Sequence, residues 1–64
     1  MDNEIIELLE TIEEQLSNAA EDSVKFVQGN NSAGTRIRKA MQSVKKLAQE
    51  VRVEVQAQKN EVPA

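Results

Sequence analysis

Gln28-Gly29-Asn30-Asn31-Ser32 lies near the middle of the chain and separates two stretches whose apolar residues recur at helical spacing. Gly29 suits the left-handed conformation that ends a helix. Asn30, Asn31 or Ser32 can cap a following helix by accepting a backbone N–H bond. Thr35 is a later alternative cap, which would leave Ser32-Ala33-Gly34 in the loop. The earlier cap is favoured, because a connection of about two or three residues makes a tight antiparallel hairpin.

On the N-terminal side Ile5, Leu9, Ile12, Leu16, Ala19, Ser23 and Phe26 step alternately by four and three, which is a heptad seam. Ile6, Leu8, Ala20, Val24 and Val27 widen it into the stripe of a bundle helix. The acids fall mostly on the opposite face, and their early placement suits the positive end of the helix dipole. On the C-terminal side Ile37, Met41, Val44, Ala48, Val51 and Val55 repeat the pattern, flanked by Ala40 and Leu47. The spacing predicts one domain over residues 1–60: a first helix over about 3–28, a turn at 29–31 and a second helix over about 32–59. Residues 61–64, with Pro63, are expected to fray.

With 64 residues the chain is short enough that a lone hairpin buries little. Small domains are usually held by disulfides, a metal or further copies of themselves. This chain has no cysteine and no histidine, so no disulfide, transition-metal site or other cofactor is expected. Self-association remains. Each stripe is wider than one partner helix can cover, so the expected architecture is all-α: an antiparallel two-helix hairpin that dimerises into a four-helix bundle or coiled coil. A trimer or tetramer would satisfy the same physics. Its oligomerisation core would be Ile5, Leu9, Ile12 and Leu16 with Ile37, Met41, Val44, Ala48, Val51 and Val55. No apolar run approaches the ~18–20 residues that cross a bilayer, and the start Met1-Asp2-Asn3-Glu4 is acidic where a signal peptide is basic. A soluble, cytoplasmic chain with no membrane partner is expected.

The net charge of −3 hides a division. Residues 1–28 hold eight acids and one base, Lys25, whereas residues 29–64 hold seven bases and three acids. Catalysis is not expected, since the chain has no His, Cys or Tyr to work near neutral pH. Glu10, Glu13 and Glu14 read as a solvated helix face, and the two glycines form no nucleotide fingerprint.

Two cationic groupings carry chemistry. Thr35, Arg36, Arg38 and Lys39 sit where the second helix begins, although the dipole there disfavours cations. Either an anion such as a DNA phosphate offsets them, or an acidic neighbour does, with Glu21 and Asp22 near the same turn. Arg38, Lys45, Arg52 and Lys59 are spaced by seven and form a stripe beside the seam, repeating every ~10.5 Å. That stripe suits salt bridges between helices or a nucleic-acid track. Phe26, the single aromatic, falls on the seam, so base stacking is not expected.

The run Phe26-Val27-Gln28-Gly29-Asn30-Asn31-Ser32-Ala33-Gly34-Thr35-Arg36-Ile37-Arg38-Lys39, continued to Leu47 and Val51-Arg52, resembles the bacterial linker-histone-like family known from chlamydiae. Gly29, Asn30, Ala33, Gly34, Thr35, Arg36, Arg38 and Lys39 match its central pattern, and Arg52 falls where members carry a late arginine. The resemblance implies a nucleoid-associated, histone-like protein whose partner is DNA, bound without sequence specificity. The DNA-binding residues would be Thr35, Arg36, Arg38 and Lys39, assisted by Lys45, Lys46 and Arg52. Longer members continue into a Lys/Ala-rich tail, and this sequence departs from them at Lys59-Asn60-Glu61-Val62-Pro63-Ala64, which is not basic. What the resemblance then implies is the family's hairpin module, self-associating and touching DNA near its turn with low affinity. The alternative is an acidic dimerisation or protein-interaction module with no DNA role, which could bind a basic protein partner.

Overall fold

The computed structural model describes residues 3–61, and the rest of the expected tail, residues 62–64, lies outside them. Two helices, α1 (Glu4–Val27) and α2 (Asn31–Glu61), pack antiparallel into a rod of 54 × 21 × 12 Å. The first ends at Val27, one residue before the expected bound. The second starts one residue earlier than the sequence suggests and runs two residues past Lys59.

The connection is Gln28-Gly29-Asn30, and its three residues serve both helices. Gly29 has φ +106°, the left-handed region that a side chain would strain. Its N–H donates to the Phe26 carbonyl at 2.9 Å, and the Asn30 N–H donates to the Lys25 carbonyl at 3.0 Å. That pair of bonds is a Schellman motif and satisfies the last carbonyls of α1. Asn30 then caps α2, its side-chain Oδ1 accepting from the Ala33 N–H at 3.2 Å. One asparagine thus closes one helix with its backbone and opens the next with its side chain.

At the far end Asn3 caps α1 by accepting from the Ile5 N–H at 2.8 Å. The same side chain exchanges amide hydrogen bonds with Gln58, at 3.3 and 3.4 Å. Gln58 also donates to Glu54 at 3.2 Å. The sequence reading missed this clasp, because nothing in a period-seven pattern marks two amides 55 positions apart.

Between the two ends the seam is not centred on the expected stripes. Ile5, Leu8, Ile12, Gln15, Ala19 and Asp22 turn inward on α1, facing Ala33, Ile37, Ala40, Val44, Leu47 and Val51 on α2. Leu9 and Leu16 on α1 and Met41 and Ala48 on α2, expected in the heptad core, are exposed instead. Two cylinders touch along one line, and a stripe of about 160° is wider than that line. The short turn and the small residues Ala19, Ala33 and Ala40 set the rotation, letting the backbones approach along the alanine edge. Only Ala19 and Ala33 are buried outright among the described residues, Ala33 completely. Gln15 leaves its side-chain carbonyl oxygen buried without a partner in the seam.

Phe26, expected in the core, is 49% exposed and lies across the turn against Gly34. A Cβ at Gly34 would stand 2.7 Å from one ring carbon and 2.8 Å from the next, so the ring needs a glycine beneath it. A helical Gly→Ala change is ordinarily worth about 1 kcal/mol of stability. Gly34→Ala should therefore yield little or nothing alone, yet about the full 1 kcal/mol in a Phe26→Ala background. A denaturant double-mutant cycle measures that coupling.

Candidate nucleic-acid interface

The cations of α2 divide into one that is engaged and several that are not. Arg36 reaches back to α1, where its Nη2 and Nε donate to Asp22 Oδ1 at 2.9 and 3.1 Å. The Asp22 side chain is 15% exposed and that of Arg36 is 49%, so the pair sits on the seam's edge near the turn. Asp22 is the acidic neighbour that the dipole argument calls for. Glu21, one position earlier, is turned outward by 100° and is exposed.

The hydrogen bonds from Arg36 hold the Asp22 carboxyl below its ordinary range, outweighing its partial desolvation, with the Arg36 and Lys25 charges adding to the effect. The same bonds raise the Arg36 guanidinium. A carboxyl lowered by folding contributes stability above its unfolded pKa of about 3.9, and that contribution is lost as pH falls through the lower folded value. The melting-temperature gap between the wild type and Asp22→Asn should be constant over about pH 5–7, begin to narrow near about pH 3.9 and close once the pH is below the lowered folded value. A gap that persists unchanged at about pH 2 would show that the ion pair is not its source.

Arg38, Lys39, Lys45, Lys46 and Arg52 are all exposed, and none makes an ion pair among the described residues. Arg38, Lys45 and Arg52 recur every seven residues, or ~10.5 Å along the helix. Lys39 and Lys46 each sit one position, 100° of turn, further round. Together they cover the outer edge of α2, away from α1. Thr35 is exposed in the second turn of α2 and, with Phe26, Asn31, Gly34, Ile37 and Arg38, lines a shallow groove beside the reversal. A second shallow groove runs along the basic edge, lined by Gln42, Lys45, Lys46, Gln49 and Arg52 among others. The first groove carries one hydroxyl, that of Thr35, and the second one carboxylate, that of Glu50, so neither brings together a nucleophile and a base. No group of three acids is placed to hold a metal ion among the described residues, and no helix is long and apolar enough to cross a membrane.

The chemistry on offer is therefore a long row of exposed cations on one helix, with no ion-pair partner among the described residues. Flexible ammonium and guanidinium groups at this spacing suit a polyanion's backbone, which asks for charge and not for a shaped pocket. The sequence model of the family described as histone H1-like protein Hc1 matches residues 6–61, covering almost all of both helices. Neither a curated protein nor a solved structure matches the chain.

Proposed function

Because this chain belongs to the histone H1-like Hc1 family, a family of DNA-binding proteins that are not enzymes, we propose that it is a nucleoid-associated protein that grips DNA phosphates with the outer edge of α2. Arg38, Lys39, Lys45, Lys46 and Arg52 supply the charge, and Thr35 adds a hydroxyl donor near the turn. Arg36 has a second task in holding Asp22, with donors left over for a phosphate. The observation that carries the reading is the row of exposed cations without carboxylate partners among the described residues. Binding of this kind is independent of sequence and steep in salt, because counterions are released from the DNA. Its test is an electrophoretic mobility shift with duplexes of unrelated sequence. Similar retardation of all of them at ~20–50 mM salt, fading by ~200 mM, is the expected pattern.

We propose also that the hairpin works as a dimer. Ile6, Leu9, Leu16, Val24 and Met41 are between 40% and 58% exposed. The helical repeat sets Leu9, Leu16 and Met41 on the same side of the rod. A second copy laid on that side would complete a four-helix bundle and remove from water the part of Leu9 and Leu16 still exposed, 44% and 46%, for about 1 kcal/mol per side chain. Leu9→Glu with Leu16→Glu should bring the mass seen by light scattering down from twice 7.1 kDa to 7.1 kDa. A wild-type chain that is folded and monomeric at the same concentration contradicts the dimer.

The second reading, an acidic interaction module, draws on the outward glutamates of α1 and on Arg36 being used within the hairpin. Absence of any retardation at ~20 mM salt would favour it.

A further inference from the structure

Each long edge of the rod carries a charge comb. On α1 the exposed Glu7, Glu14 and Glu21 recur every seven residues, and on α2 the exposed Arg38, Lys45 and Arg52 do the same. Both combs therefore have the same repeat of ~10.5 Å. The seam lies between the two helices, and these positions turn away from it, so acids and bases occupy opposite edges of a body 21 Å wide. Within one chain the combs cannot meet.

The hairpin's own contacts fix how the combs are levelled. Asp22 pairs with Arg36 and Asn3 with Gln58, which sets residues of α1 and α2 side by side along the axis. In that register Glu21 stands level with Arg38 and Lys39, Glu14 with Lys45 and Lys46, and Glu7 with Arg52. A second copy moved sideways by one rod width, without sliding or turning, would place its acidic comb tooth for tooth against the basic comb of the first.

We infer that hairpins associate edge to edge through these combs, the glutamates of one copy on the cations of the next. The occupant of this surface is a second copy of the chain, chosen by matched charge, matched repeat and matched level. The contact is heterologous, so each addition leaves a free acidic edge and a free basic edge, and assembly is open-ended. Its acidic edge lies well away from the apolar face of the proposed dimer, whereas its basic edge borders that face, Arg52 standing about 20° round α2 from Met41. It also deepens the proposed DNA reading, on which this one consequence rests: DNA and the neighbour's glutamates compete for the same cations.

The test uses the protein without DNA, so its failure is distinct from a failure to bind DNA. Light scattering at ~20 mM salt should give at least twice the mass found at ~300 mM, where exposed pairs are screened. Two triple variants make it specific: Glu7→Lys with Glu14→Lys and Glu21→Lys, and Arg38→Glu with Lys45→Glu and Arg52→Glu. Each alone should lose the low-salt gain in mass, since both edges then carry one sign. Mixed in equal amounts, they should regain it, which also shows that both remain folded. A wild-type mass that does not change with salt, or a mixture no heavier than its components, overturns the inference.

Discussion

Arg38→Ala, Lys45→Ala and Arg52→Ala, combined in one chain, should flatten the salt dependence of DNA binding more than they alter the fold. Five phosphate contacts per hairpin correspond to a log–log slope of about −4.5, at about 0.9 per contact. That slope amounts to a loss of about 500-fold in affinity between about 50 and 200 mM salt. With three contacts gone the slope should fall to about −1.8, and the same change in salt should remove only about tenfold. All three positions are exposed and lie outside the seam, and alanine is the best helix former, so melting should change little. Fluorescence anisotropy across a salt series reads the slope directly. A slope that the three alanines leave unchanged would place the contacts elsewhere on the molecule.

Ala33→Leu should be the most damaging single change to the hairpin. Ala33 has no exposed surface, sits one turn after the cap and gives its N–H to Asn30. A leucine there has no room between backbones that meet along an alanine edge, and overpacking of this kind costs about 1–3 kcal/mol. In a domain this small each kcal/mol lowers the melting temperature by about 4–8 °C, so a fall of about 5–20 °C is expected. Ala57→Leu, at an exposed position of the same helix, is the control and should leave melting within a few degrees. If both changes are equally harmless, the close approach at Ala33 is not what holds the turn.

Much of this was legible in the sequence, for identifiable reasons. Gly29 and Asn30 mark the reversal because a left-handed residue and a side-chain acceptor are local requirements that few residues meet. The two apolar stripes announce helices because burial imposes their period. Rotation within the stripes was not legible. Leu8 and Leu9 are equally apolar, and only the turn geometry and the alanine edge decide that Leu8 faces α2 while Leu9 faces outward. That rotation also decides between Glu21 and Asp22 as the neighbour of Arg36. Phe26 read as core because its position fits the seam, whereas its ring rests on the turn in the space that Gly34 leaves. The basic stripe was visible as a spacing of seven. The matching spacing of Glu7, Glu14 and Glu21 was equally visible, but it acquires meaning only once the hairpin register levels the two combs.

The central claim is that the outer edge of α2 is the surface that meets DNA. Amide chemical-shift mapping of the labelled protein with a short duplex, at ~100 mM salt to suppress edge contacts between copies, tests it most directly. The largest shifts should fall from Thr35 to Arg52 on the outward positions, including Arg38, Lys39, Lys45 and Lys46, while Glu7, Glu14 and Glu21 stay still. Shifts centred on Leu9, Leu16 and Met41, or no shifts at saturating duplex, would contradict it.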